Sequence, residues 1–155
     1  MTMRFPFFTL LFVLCVTHQA ILADVNTRNI LLDTPLHIAV ENDEKEVVRT
    51  LLELGAHTNS WNLRGSTPLH IAIENENSEI VALLIQHGAN VNQVNVLQET
   101  PLHAAVKKGN ALIVSLLVKA GAQTNIKNLL FQTPLHIAMN NKNAVIMKLL
   151  IDNAA

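Results

Sequence analysis

Histidine is the side chain in this sequence best suited to chemistry, and its spacing is regular. His37, His70, His103 and His136 each close a Thr-Pro-Leu-His tetrapeptide, and the four copies start 33 residues apart. Imidazoles invite a zinc site, whose ligands must all lie about 2 Å from one ion. A fixed period of this length, however, makes stacked units, and packed helices sit about 8–10 Å apart. The four rings therefore form a ladder and cannot share a metal. Each ring is expected to hydrogen-bond its local turn and to tether adjacent units. His57 and His87 fall near the ends of apolar segments, where a proton suits a helix C-terminus, and surface solvation accounts for them equally well.

Carboxylates are the second candidate. Glu41, Asp43, Glu44 and Glu46 cluster in one polar interruption. A catalytic pair needs contrasting environments to separate its pKa values, which a solvated loop does not provide, so the cluster reads as the polar outer face of a terminal unit. The sequence contains no nucleophile elbow, phosphate loop, zinc-finger spacing or kinase signature. No catalytic residue, cofactor or metal is expected, and the chain reads as a non-enzyme.

The elements that would carry these residues follow from the same alignment. Asn recurs five positions before each motif Thr (Asn29, Asn62, Asn95, Asn128) and eight positions before it (Asn26, Asn59, Asn92, Asn125). Asn tolerates left-handed backbone and bonds its own backbone in turns, so each pair is expected to mark a tight loop or hairpin before the Thr. Thr34 and its three equivalents suit an N-cap with Pro at the first helical position. Short apolar segments follow at Leu36–Val40, Leu69–Ile73, Leu102–Val106 and Leu135–Met139. After a polar break comes a second helix, as at Val47–Leu54 and Ile80–Ile85, and Gly55, Gly88 and Gly121 end the first three of these as C-caps. Ala39, Ala72, Ala105 and Ala138 occupy one column, where small side chains allow close helix approach. Neither helix can bury its stripe alone, so the units must stack.

The Thr-Pro-Leu-His-Ile-Ala motif, the Leu pairs at 51–52, 83–84, 116–117 and 149–150, and the Gly-Ala endings at 55, 88 and 121 resemble ankyrin repeats. The resemblance covers residues 24–155, with repeats at about 29–61, 62–94, 95–127 and 128–155. It implies an all-α fold, an ankyrin-repeat α-solenoid of paired antiparallel helices with β-hairpin fingers, and a protein-binding role. Two family glycines are mostly replaced. The one before the motif Thr survives only as Gly65, with Leu32, Gln98 and Phe131 elsewhere. The one between the helices survives only as Gly109, with Asp43, Glu76 and Lys142 elsewhere. These replacements put the hairpin tips in question: without Gly the fingers are free to curl inward.

Fingertip positions in ankyrin proteins commonly face partners. Here they are Ile30 and Leu31, Leu63 and Arg64, Val96 and Leu97, and Leu129 and Leu130, with Trp61 beside the second finger. Exposed apolar side chains mark interaction sites, and Trp and Arg are enriched at hot spots; the alternative is that the fingers pack on one another. Just after the first helices the polar pairs Glu41-Asn42, Glu74-Asn75 and Lys107-Lys108 change sign along the stack. They would orient a dipolar partner, or they are ordinary solvated loops. At the other end Val145, Ile146, Met147, Leu150 and Ile151 have no next unit to cover them all, so self-association through the C-terminal repeat is a further expectation.

Residues 1–23 have the order of a secretory signal: one basic residue at Arg4, an apolar run from Phe5 to Val16, and small Ala20 and Ala23. Cleavage after Ala23 and secretion are expected. The alternatives are an uncleaved membrane anchor, a degenerate first repeat, since Ala23–Asn26 align with Ala89–Asn92, and a fragment of a larger intracellular, cytoplasmic ankyrin array. The lone Cys15 lies in this segment, so the processed chain has no thiol. A formal net charge of -1 favours neither nucleic acid nor an anionic membrane, and the aromatic content of 4% is too low for a base-stacking surface. The sequence thus points to a secreted interaction module for a protein partner of unknown identity, with no nucleic acid and no membrane contact after processing.

Overall fold

The computed structural model describes residues 24–153; the expected export signal at 1–23 lies outside them. The described residues form eight α-helices and no strand. They come in four pairs: α1 (Pro35–Glu41) with α2 (Lys45–Glu53), α3 (Pro68–Glu74) with α4 (Ser78–Gln86), α5 (Pro101–Lys108) with α6 (Ala111–Lys119), and α7 (Pro134–Asn140) with α8 (Ala144–Asp152). First helices pack in a row, α1 on α3 on α5 on α7, and second helices form a parallel row behind them. This is the helical solenoid that the repeat implied.

Each unit is punctuated by its own residues. Thr34, Thr67, Thr100 and Thr133 have extended backbone and form capping boxes in which the residue three along is His rather than the usual Glu. The second helices are capped by Asn77, Asn110 and Asn143, whose side chains accept backbone N–H groups; in the first unit Glu44 holds this position and makes no such bond. The first three second helices end in Schellman motifs, as where Ala56 N–H reaches Leu51 O and Gly55 N–H reaches Leu52 O. Between the rows lies one continuous core, with Leu36, Leu69 and Leu102 fully buried and the alanine column at no more than 2% exposure. Each buried Leu contributes about 1.5–3 kcal/mol.

The missing glycines leave the geometry unchanged. Leu32, Gln98 and Phe131 take φ of 61°, 56° and 57°, and Asp43, Glu76 and Lys142 take 62°, 57° and 55°. All six adopt the left-handed conformation that Gly65 and Gly109 adopt, so the fingers do not curl inward. Side chains elsewhere compensate for the strain. In each finger one Asn closes the turn: Asn29 Oδ1 accepts from Leu31 and Asp33 N–H at 2.8 and 2.9 Å, and Asn29 O accepts from Leu32 N–H at 2.9 Å. The Asn residues thus act through their side-chain oxygens, and the left-handed residue is the one three positions later. In the outer column Asn26, Asn59 and Asn92 lie in tight turns and also tie units together. Asn26, Asn59 and Asn92 accept from His57, Asn90 and Gln123 N–H across successive units at 2.7, 2.7 and 2.8 Å.

At the far end the expectation needs partial correction. Ile146 and Leu150 are buried within their own unit, whereas Met139, Val145 and Ile151 are exposed.

A left-handed L-residue costs about 1–2 kcal/mol, and Gly returns part of that through unfolded-chain entropy. Phe131→Gly, at an exposed tip, is expected to raise stability by about 0.5–1 kcal/mol in urea denaturation. Glu44→Asn is expected to add about 1 kcal/mol by supplying the missing cap. Gly65→Ala is expected to destabilise, because a Cβ there would lie 2.7 Å from Val96 Cγ1 and 2.9 Å from Val96 N.

Candidate functional site

The motif histidines are spent on structure. His37 Nδ1 accepts from the Thr34 backbone N–H at 3.1 Å and lies 2.8 Å from the Thr34 hydroxyl, while its Nε2 donates to Ser66 O in the next unit at 3.2 Å. His70 does the same with Thr67 and Glu99 O (3.3 Å), and His103 with Thr100 and Gln132 O (3.0 Å). Both nitrogens of each ring are occupied, in the neutral tautomer that carries its proton on Nε2. Burial lowers the pKa of all three, outweighing the backbone acceptors and nearby carboxylates that would raise it. Among the described residues no three His, Cys, Asp or Glu side chains converge as metal ligands.

Every expected fingertip residue is exposed: Ile30, Leu31, Leu63, Arg64, Val96, Leu97, Leu129 and Leu130. Successive fingers touch through their backbones, with Leu63 N–H on Leu31 O at 2.9 Å and Leu129 N–H on Leu97 O at 3.1 Å. The side chains nevertheless face solvent.

A concavity of about 260 Å³ gathers part of this set between the first two fingers and helices α1 and α3. Leu31 and Leu63 line it from the fingers, and Glu41, Glu74 and Asn75 from the helix ends, with Arg64 and Ile71 alongside. Ile30, Asn42, Val96, Leu97, Lys107, Lys108, Leu129 and Leu130 do not line it. Trp61 does not either: it borders a separate depression with His57 and Arg28, whose guanidinium sits 5.5 Å from the indole centroid, a cation–π contact.

Ile71, Asp33, Asn62 and Ser66 line the concavity without having been expected. Ile71 looks like core in the sequence because it sits inside the repeated motif. Only its partial exposure reveals it. Asp33 and Asn62 mainly serve the fingers, Asn62 Nδ2 donating to Asp33 Oδ1 at 2.9 Å.

The change of charge sign is real but partly self-cancelling. Lys108 pairs with Glu74 of the preceding unit at 3.2 Å, and Lys107 with the buried Glu99 carboxylate at 2.7 Å. Asn75 is a tether as well as a surface group, since its Nδ2 donates to Val40 O and Glu41 O at 3.1 and 3.2 Å. Among the described residues, Glu41 and Arg64 enter no ion pair. Lys45 and Glu79 pair across the second helices, and this lowers the Glu79 pKa.

A family model described as ankyrin repeats (3 copies) matches residues 9–95, 57–128 and 92–155. The chain belongs to the ankyrin repeat family. These repeats are protein-interaction modules, so protein partners are implied. The first match begins inside the segment with signal-like order. No curated protein matches the chain. No helix among the described residues is long and apolar enough to cross a membrane.

The neutral ladder has a pH signature. The unfolded state takes up protons near the ordinary histidine pKa of 6.5, while the folded rings resist because burial lowers theirs. Between the two values the unfolded state binds more protons, so stability falls as pH falls. The melting temperature is expected to be flat above about pH 7 and to drop below about pH 6.5, each ring contributing at most about 1.4 kcal/mol per pH unit. Scanning calorimetry from neutral to mildly acidic buffer checks it, and His70→Gln should flatten the profile.

Proposed function

We propose that this ankyrin module binds an extended segment of a protein partner along its fingers and first helices, centred on the concavity of the first two units. The observation that carries the reading is the meeting of exposed Leu31 and Leu63 with the apolar wall of Ile71, next to Glu41 and Arg64, which have no ion-pair partner among the described residues. An apolar partner side chain would fill the space between the leucines, and its polar neighbours would meet Glu41 and Arg64. The exposed apolar fingertips Val96, Leu97, Leu129 and Leu130 would extend contact down the row, with Ile30, Asn42, Trp61, Lys107 and Lys108 at its rim. The order of residues 1–23 supports export and removal of that segment. The family match from residue 9 favours a second reading, in which the segment belongs to an intracellular repeat array.

A photocrosslinker at position 63 is expected to capture a partner that the same group at exposed Leu112, on the second-helix row, does not capture. Ile71→Arg is expected to reduce that capture at least about tenfold, the usual loss at an interface centre. Equal capture from both positions would sink the assignment of the face. Mass spectrometry of the product's N-terminus separates the two readings of residues 1–23.

A further inference from the structure

The two ends of the described stack carry opposite halves of the joint used between its units. At two of the three inner joints the upstream unit offers a histidine Nε2–H and a carbonyl near the end of its first helix, and the downstream unit answers with a backbone carbonyl and an Asn amide; at the middle joint Lys108 stands in place of the Asn. His37 and Ser66 O, with Val40 O and Asn75 Nδ2, make one such joint; His103 and Gln132 O, with Val106 O and Asn141 Nδ2, make another. The last unit presents the donor half: His136 is exposed, and the Met139 carbonyl stands where Val40 and Val106 stand. The first unit presents the acceptor half: the Asp33 carbonyl occupies the place of Ser66 and Gln132, and exposed Asn42 the place of Asn75 and Asn141.

Apolar side chains follow the same register. Val40, Ile73 and Val106 are fully buried at their joints, whereas Met139 in that column is 58% exposed, and Ile151 is 60% exposed against 5% for Leu52. Charge completes the match. Residues 24–94 carry ten acidic and four basic side chains, and residues 95–155 carry two acidic and six basic. The chain is therefore a dipole along the stack, acidic upstream and basic downstream, and ion pairs such as Glu74–Lys108 already bridge its inner joints.

We propose that the α7/α8 face is an interface for a second copy of this chain, which stacks its acidic α1/α2 end there head to tail. The second copy's Asp33 O accepts from His136, its Asn42 amide donates to Met139 O, and its first unit covers Met139 and Ile151. Because the contact is heterologous, a pair of copies still has one free end of each kind, so assembly continues past a dimer. This interface lies at the ends of the stack and shares with the concave face only Asp33, which also lines the concavity, and Asn42 at its rim; it rests on the reading in which residues 1–23 are removed.

Sedimentation of the purified chain beginning at Asp24 tests it. The average mass is expected to rise with concentration beyond twice that of one chain, and to fall when salt screens the dipole. Met139→Glu with Ile151→Glu should disable the downstream face, and Asn42→Arg the upstream face, each weakening association at least about tenfold. All three positions are exposed, so the variants should melt as the parent does. A mixture of the two disabled proteins should form one-to-one dimers, because each keeps one working end. A parent that stays monomeric at every concentration would overturn the proposal. So would a closed dimer that survives Asn42→Arg, which would instead join two downstream faces.

Discussion

His37, His70 and His103 must remain neutral for the stack to hold, because each ring closes two structures at once. Its Nδ1 accepts from the Thr that begins its own helix, and its Nε2–H reaches the carbonyl that ends the next finger. A second proton would take up the Nδ1 lone pair that accepts the Thr N–H and would place a charge in a buried site, where an unpaired charge is costly. Helix start, finger position and coupling between units are therefore set by one imidazole, repeated at three joints. The alanine column makes room for this arrangement, and the buried leucines supply most of the driving force.

Function follows from what such a stack leaves outside. Among the described residues the core runs between two rows of helices and is apolar. What varies along the molecule is displayed on the fingers and the helix ends. The first two units combine apolar fingertips with Ile71 and unpaired charges. In the third unit the basic pair is engaged by Glu74 and Glu99. Similar repeats thus present different chemistry along one face.

The solenoid was legible in the sequence because its signal is redundant: four Thr-Pro caps, an alanine column and terminal glycines in one register. Cap and ladder roles for Thr34 and His37 followed from residue type alone. The backbone at Leu32, Asp43 and Phe131 did not, because propensity opposes left-handed conformations there and the neighbouring turn and helix bonds override it. The turn-closing role of Asn29 followed from residue type, whereas the reach of Asn26 to a different unit 31 residues away did not. The floor of the concavity was hidden for a related reason. Ile38, Ile71, Ala104 and Ile137 share one column, yet exposure falls from 39% at Ile38 to 4% at Ala104. Only packing distinguishes them. Pairing of Glu74 with Lys108 was likewise invisible, because it depends on which units are adjacent in space.

Cross-unit tethers here span short stretches of chain: 29 residues for the histidine bonds, 31 for Asn26 to His57, and 35 for Asn75 to Val40. No bond between units waits for a distant part of the polypeptide. Loop-closure entropy is modest at such separations, and contacts this local favour rapid folding. A growing chain can therefore complete each joint as soon as the following repeat emerges, so that order spreads from the first repeat in step with synthesis.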